Sequence, residues 1–175
     1  MPLLGTATIT GNGSTLTSGA NTSDSIGNNF VTKIGAASVT ADVSLITAAT
    51  VQVTVPVSPQ SGQAQGSPTQ VPSTFTKFVD KASPLLWGAL TTSQQLEILL
   101  TFFINDSKGN TQNFYTIDVK GAVLVSGLLF KPDVLATQNG AYGDMETFGF
   151  TYGQATWTHS IGGTQAVFTA AGSWS

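Results

Sequence analysis

Residues 96–125 read LEILLTFFINDSKGNTQNFYTIDVKGAVLV, and the fold turns on them. Leu96, Ile98, Leu100, Phe102 and Ile104 recur at every second residue, the spacing that lines one face of a β-strand. Leu99 and Phe103 make the other face partly apolar too. Asn105 to Asn110 is built from Asn, Asp, Ser, Lys and Gly, the residue types that accept tight turns. Tyr115, Ile117, Val119, Val123 and Val125 then line a returning strand. The pattern predicts a long β-hairpin. A strand apolar on both faces belongs in a sandwich, a barrel or a subunit interface.

The same period of two runs through much of the chain. Ala7 and Ile9 alternate with threonines over Thr6–Thr10, and Val51, Val53 and Val55 alternate with Gln52 and Thr54. Another strand is expected from Phe30. Phe148, Phe150 and Tyr152 alternate with Gly149 and Thr151. Gly153 reads as a bulge before a strand over Ala155–His159, and Gln165–Ala170 as a last strand. One helix interrupts this pattern. Ser83 is placed to cap its first amides, and Pro84 sits where a missing N–H costs nothing. Leu85, Leu86, Ala89 and Leu90 follow at spacings of three and four. The fold expected is mainly β: two packed antiparallel sheets forming a barrel-like domain, with one short α-helix near residues 84–92.

Two segments lack this pattern. Residues 11–29 are mostly Gly, Ser, Thr and Asn, and read as a flexible loop or arm. Pro56 to Pro72, with Pro59 and Pro68 inside and Ser, Gln and Gly between, is longer than most connections in compact domains.

Composition narrows the function. The chain has 175 residues, enough for one domain, yet charged residues are only 9% of it, against roughly 25% in an ordinary soluble domain. Net charge is −3 and there is no arginine, so the basic stripe that nucleic-acid binding needs is missing. With zero cysteines, neither disulfides nor a thiolate metal site is available. The N-terminus has no basic region followed by an apolar stretch, so a signal peptide is not expected. Nor does any window approach the roughly 18 apolar residues of a membrane span, so no membrane insertion is expected.

Catalytic readings find little support. His159 is the only histidine, and no Gly-x-Ser-x-Gly elbow accompanies it; a strand-end histidine is the plainer reading. Glu97 and Glu146 are the only glutamates, and two carboxylates on solvated strand faces explain them better than a glycosidase pair. Asn105, Asp106 and Asn110 resemble a calcium turn but lack the closing bidentate glutamate. Asn-x-Ser sequons at Asn12, Asn21 and Asn105 carry weight only with a secretory signal. No catalytic residue, cofactor or metal is therefore expected. A β-rich chain with so little charge also lacks the usual guard against edge-to-edge pairing, which leans toward self-assembly.

The approach to the helix is more distinctive. Phe75-Thr76-Lys77-Phe78-Val79-Asp80-Lys81-Ala82-Ser83-Pro84-Leu85-Leu86 resembles the signature of the haemolysin-coregulated (Hcp) family, the tube protein of type VI secretion. The resemblance continues through the hairpin to Ala122–Ser126. It resumes at Glu146–Phe150 and Ala155–His159, and extends to Trp174. Phe30–Gly35 would match the family's opening strand, making residues 1–29 a flexible N-terminal extension and 30–175 the domain.

The resemblance implies a homohexameric ring, with rings stacked into a tube inside a contractile sheath and capped by a spike. Baseplate proteins and effector cargo in the lumen complete the implied partners, and the tube would be exported through the injection system itself. It also implies a structural role for Phe75, Thr76, Lys77, Asp80, Lys81, Ser83 and Pro84. Asp80 and Ser83 would organise the helix start. Lys77 and Lys81 would pair with Asp80 or with a neighbouring subunit, as exposed pairs contributing about 0–1 kcal/mol. An extended loop near 57–72, with Gln60, Gln63, Gln65 and Gln70, would reach the next ring. The alternatives are a phage-type tail tube protein and a secreted β-sandwich adhesin or carbohydrate-binding module using Trp157 or Trp174. An enzyme centred on His159 ranks third.

Overall fold

The computed structural model describes residues 3–27, 33–34, 37–133, 135–136 and 143–170. In chain order the elements are β1 (Gly5–Gly11), β2 (Ser14–Thr15), α1 (Ser23–Ile26), β3 (Lys33–Ile34), β4 (Ala37–Ser38), β5 (Ser44–Thr54) and β6 (Thr69–Phe78). Then follow α2 (Ser83–Thr91), β7 (Gln95–Asn105), β8 (Thr111–Phe130), β9 (Met145–Thr151), β10 (Gln154–His159) and β11 (Thr164–Thr169).

A single antiparallel sheet runs β11-β10-β8-β7-β1-β5-β6-β9, and β9 returns to pair with β8. Six strands thereby close into a barrel, and the β10–β11 hairpin extends the sheet from β8, with Ala155 and Phe168 packed against the core. The expected two walls are one continuous sheet because β8 is long enough to serve both. Its first half pairs with β7 and β10, and its second half, from Val123 to Phe130, pairs with β9.

The long hairpin forms as its alternation dictates, with Leu96, Ile98 and Leu100 fully enclosed. The returning strand departs from the expected face. Gly121 has φ +61, and the register against β7 slips between Leu96 and Ile98, placing an extra residue on β8. Such a bulge reverses which side chains point inward. Ile117 and Val119 face the core before it, Ala122 and Leu124 after it, and Val125 is exposed.

The core gathers Ile9, Phe75, Ile98, Leu100, Val119, Phe148 and Phe150. Phe75 packs between Phe148 and Phe150 with ring centroids 5.8 and 5.9 Å away. On α2 the buried residues are Ser83, Leu86 and Ala89, whereas Leu85, expected on the packed face, is exposed. Trp87 lies against β8 so closely that a Cβ on Gly127 would stand 2.8 Å from its ring.

The N-terminal segment is not an appendage. β1 lies between β5 and β7 and buries Ala7 and Ile9 completely. Thr17, Ala20 and Asn21 are buried beyond it, with Asn21 N–H donating to Ala41 O at 2.9 Å and its side chain to Thr40 O at 3.3 Å. Few large apolar residues mark this stretch because backbone and hydroxyl hydrogen bonds hold it. Thr17 Oγ1, for instance, accepts from Ile9 N–H and donates to Asp42 O. The strand expected from Phe30 falls mostly outside the described residues, as does Trp174; Lys33–Ile34 and Ala37–Ser38 form a small antiparallel pair.

Candidate functional site

Ser73, Phe75 and Lys77 alternate along β6, so Lys77 points into the barrel beside Phe75. Directly opposite in register stands Glu146 on β9. Lys77 Nζ donates to Glu146 Oε1, Asp80 Oδ1 and Phe78 O, each at 2.8 Å, and reaches Ser83 Oγ at 3.1 Å. Glu146 Oε2 accepts the indole N–H of Trp87 at 3.0 Å. Asp80 Oδ1 also takes the Ala82 amide at 2.8 Å, and Ser83 Oγ takes the Asp80 amide at 3.0 Å. Three titratable side chains thus hold β6, β9 and the start of α2 together in an enclosed site.

This arrangement changes three expectations. Lys77 pairs with Asp80 as anticipated, but at 0% side-chain exposure it is an internal ion pair and not an exposed one. Glu146 is equally enclosed, so it is no solvated strand carboxylate. Ser83 does not cap the helix amides; it closes the turn before the helix, while Asp80 accepts the amide of Ala82. Phe75 lies in the core, Thr76 faces outward to share a 2.8 Å hydrogen bond with Thr147, and Pro84 stands in the first turn of α2. Lys81 is exposed, and its amide donates to Ser25 Oγ at 2.7 Å.

Gln60, Gln63 and Gln65 lie in the connection between β5 and β6, all of them exposed. That connection continues the hairpin loosely, with Val57 bridging Ala64, Ser58 N–H donating to Gln63 O, and Gln65 N–H donating to Pro56 O. Gln70 is not part of it. It belongs to β6, and its side-chain oxygen accepts the Tyr152 amide at 2.8 Å. Burial raises the Tyr152 pKa above the usual phenol value.

The catalytic candidates are dispersed. Glu97 is exposed on β7 opposite Thr10, away from the enclosed Glu146 pair. His159 Nδ1 accepts the Gly162 amide at 2.8 Å and closes the turn between β10 and β11, with Phe114 and Tyr115 edge-on to its ring. Asp106 accepts the amides of Lys108 and Asn110 and the side chain of Asn110, forming a hairpin turn.

Comparison with known proteins bears on this architecture directly. The sequence model described as "Type VI secretion system effector, Hcp" matches residues 36–159, which contain Lys77, Asp80, Ser83 and Glu146. The chain belongs to the Hcp family of type VI secretion. A Pseudomonas aeruginosa protein named Major exported protein is 32% identical to this Hcp chain over 150 residues, spanning 85% of the chain and 84% of that protein. The crystal structure of an Hcp protein superimposes with a TM-score of 0.88 at 26% identity, covering 97% of this chain and 98% of the other. The secreted protein Hcp3 from Pseudomonas aeruginosa matches with a TM-score of 0.76 at 26% identity, over 97% and 99% of the two chains. The shared Hcp fold therefore extends beyond residues 36–159 to most of the chain.

Proposed function

We propose that six copies of this Hcp chain close into a ring, and that rings stack into the inner tube of a type VI injection machine. Two half-paired strands carry this reading. β5 is paired with β1 only over Ser44–Ile46, so residues 47–54 have β6 on one side and no strand on the other among the described residues. β8 leaves β7 after Val123, so residues 124–130 have β9 on one side and, among the described residues, no strand on the other. The four strands β5, β6, β9 and β8 thus form a sheet with two free edges. They alternate in direction, so β8 of one copy can meet β5 of the next antiparallel, and repetition closes a ring.

Side-chain chemistry supports the same reading. No charged residue occurs from Val43 to Thr76, and β8 exposes Val125, Leu128, Leu129 and Phe130. Monomeric proteins usually guard such edges with charge. The exposed loop at 55–68, which carries Gln60, Gln63 and Gln65, is suited to contact the adjacent ring. Sheath, baseplate and spike would surround this tube, effectors would travel in its lumen, and the tube would be exported with them, in keeping with the relative named Major exported protein.

Negative-stain electron microscopy with a parallel solution mass tests the proposal. Six-fold rings at six times the 18.1 kDa chain mass are expected. A monomer that persists at high concentration and shows no rings would overturn it.

A further inference from the structure

We propose that His159 is an acid-sensitive latch on the β10–β11 hairpin. The neutral ring holds the turn at residues 160–163 closed, and the ring releases that turn when it takes up a proton. The latch lies on strands that the ring reading does not use, so the two stand independently.

His159 ends β10 and pairs with Thr164, the first residue of β11. Between them the Gly162 amide reaches back to His159 Nδ1 at 2.8 Å, and the Gly163 amide donates to His159 O at 2.9 Å. A backbone N–H is a fixed donor, so Nδ1 is the acceptor and carries no proton in this arrangement. Glycine is needed at 162 for the approach, since a Cβ there would stand 3.0 Å from Nδ1. Gly163, at φ +63, then turns the chain into β11.

Imidazole is the side chain that ordinarily changes charge between pH 5 and 8. With protons on both ring nitrogens, the Gly162 amide meets a donor where it had an acceptor, and its bond is lost. Nothing around the ring compensates. β8 presents Phe114 and Tyr115, with ring centroids 6.0 and 6.4 Å away, and β11 presents Thr164 opposite. Trp157 and Thr158 precede His159 on β10, and Ser160 and Ile161 follow it in the turn. None of these is a carboxylate that could receive the new N–H. Tyr115 is the only titratable group among them, and phenols ordinarily ionise only in strongly alkaline solution. A cavity of about 190 Å³ between Tyr115, Trp157, Gln165 and His159 gives water a route to the ring.

Little else restrains the released turn. Among the described residues β11 pairs with β10 alone, and every residue of it except Phe168 is exposed. Phe168 lies near the far end of the strand, where it packs edge-on against Tyr152 with centroids 6.3 Å apart. Opening therefore starts at the turn, runs from Thr164 along β11, and stops at that contact. A segment with few buried contacts and one neighbouring strand is the kind that opens locally without unfolding the rest. The edges of β5 and of β8 beyond Val123 lie outside it.

A single histidine and no cysteine make the assignment direct, because no other side chain here ordinarily titrates between about pH 7 and pH 5. Amide hydrogen exchange of the full chain, expressed as protection relative to unstructured peptide, reads the turn. Protection of Gly162 should fall about fivefold or more over that range, the equivalent of about 1 kcal/mol for one lost hydrogen bond. Gly163 should follow it, while amides of β5 and β8 stay unchanged. His159→Asn sets a carbonyl oxygen close to where Nδ1 stands and should keep Gly162 protected at both pH values. His159→Leu supplies no acceptor and should leave it weakly protected at both. Equal protection at the two pH values in the unsubstituted protein would overturn the latch. So would an acid loss that persists in His159→Asn, or full protection in His159→Leu.

Discussion

Lys77 is enclosed with two carboxylates, and that imbalance decides what its loss would do. Replacing it with methionine keeps the bulk but leaves Asp80 and Glu146 buried without a counter-charge. Breaking a buried pair from one side costs about 3–5 kcal/mol. Lys77→Met should lower the urea midpoint by an amount corresponding to a loss in that range; an unchanged midpoint would mean the cluster is hydrated. Ser83→Ala should cost less, about 1–3 kcal/mol, because it leaves a buried Asp80 amide without its acceptor. Asp106 offers a contrast at the surface. Hydrogen bonds from the Asn110 side chain and amide hold its carboxyl below the ordinary aspartate value. The turn is therefore favoured above that ordinary value and loosens as pH falls through the depressed one. Amide shifts of Lys108 and Asn110 followed by NMR should move together in that acid window and stay flat near neutrality. The motif around Lys77 was readable in the sequence, but its burial was missed. Lysine is rarely enclosed, and its parity with Ser73 and Phe75 becomes informative only when Glu146 is known to stand opposite.

At the level of elements, α2 shows how far periodicity carries. Spacings of three and four locate the helix, yet they do not separate Leu85 from Leu86. The first is 51% exposed and the second fully enclosed beside Ala89. Leu86→Ala should cost about 2–5 kcal/mol, as buried leucine truncations do. Leu85→Ala should stay within about 0.5 kcal/mol in the isolated subunit, as surface changes do. Denaturant unfolding of the two variants under conditions that keep the protein monomeric checks the contrast, and equal losses would contradict the packing. β8 teaches the same lesson through its backbone. The alternation from Tyr115 to Val119 was legible, but one bulge at Gly121 moved the inward set from odd to even residues. A lone glycine within a strand can mark a bulge, but it does not say which neighbour is displaced. β1 was visible as alternation at Thr6–Thr10, and its place inside the barrel was not. That position depends on pairing with β7, about ninety residues away in sequence, which no local pattern encodes.

For the whole molecule, the scarcity of charge predicts how assembly responds to salt. In the proposed ring the edges of β5 and β8 would meet through backbone hydrogen bonds and side chains such as Leu128 and Phe130, and no charged residue lies between Val43 and Thr76 to form an ion pair there. Salt screens interactions between exposed charges over roughly 8–10 Å near physiological strength, but it has little hold on apolar burial or on a β-ladder. The ring population measured by sedimentation velocity should therefore hold steady from low to high salt. A steep loss at high salt would mean that ion pairs, not strand edges, close the ring. The converse experiment installs the missing term. Leu128→Lys places one positive charge per copy at the β8 edge, so a closed ring carries it once in every subunit. Those like charges should oppose closure at low salt, and added salt should restore it. Such a reversal would separate a specific edge contact from general loss of folding, because an unfolded variant gains nothing from screening.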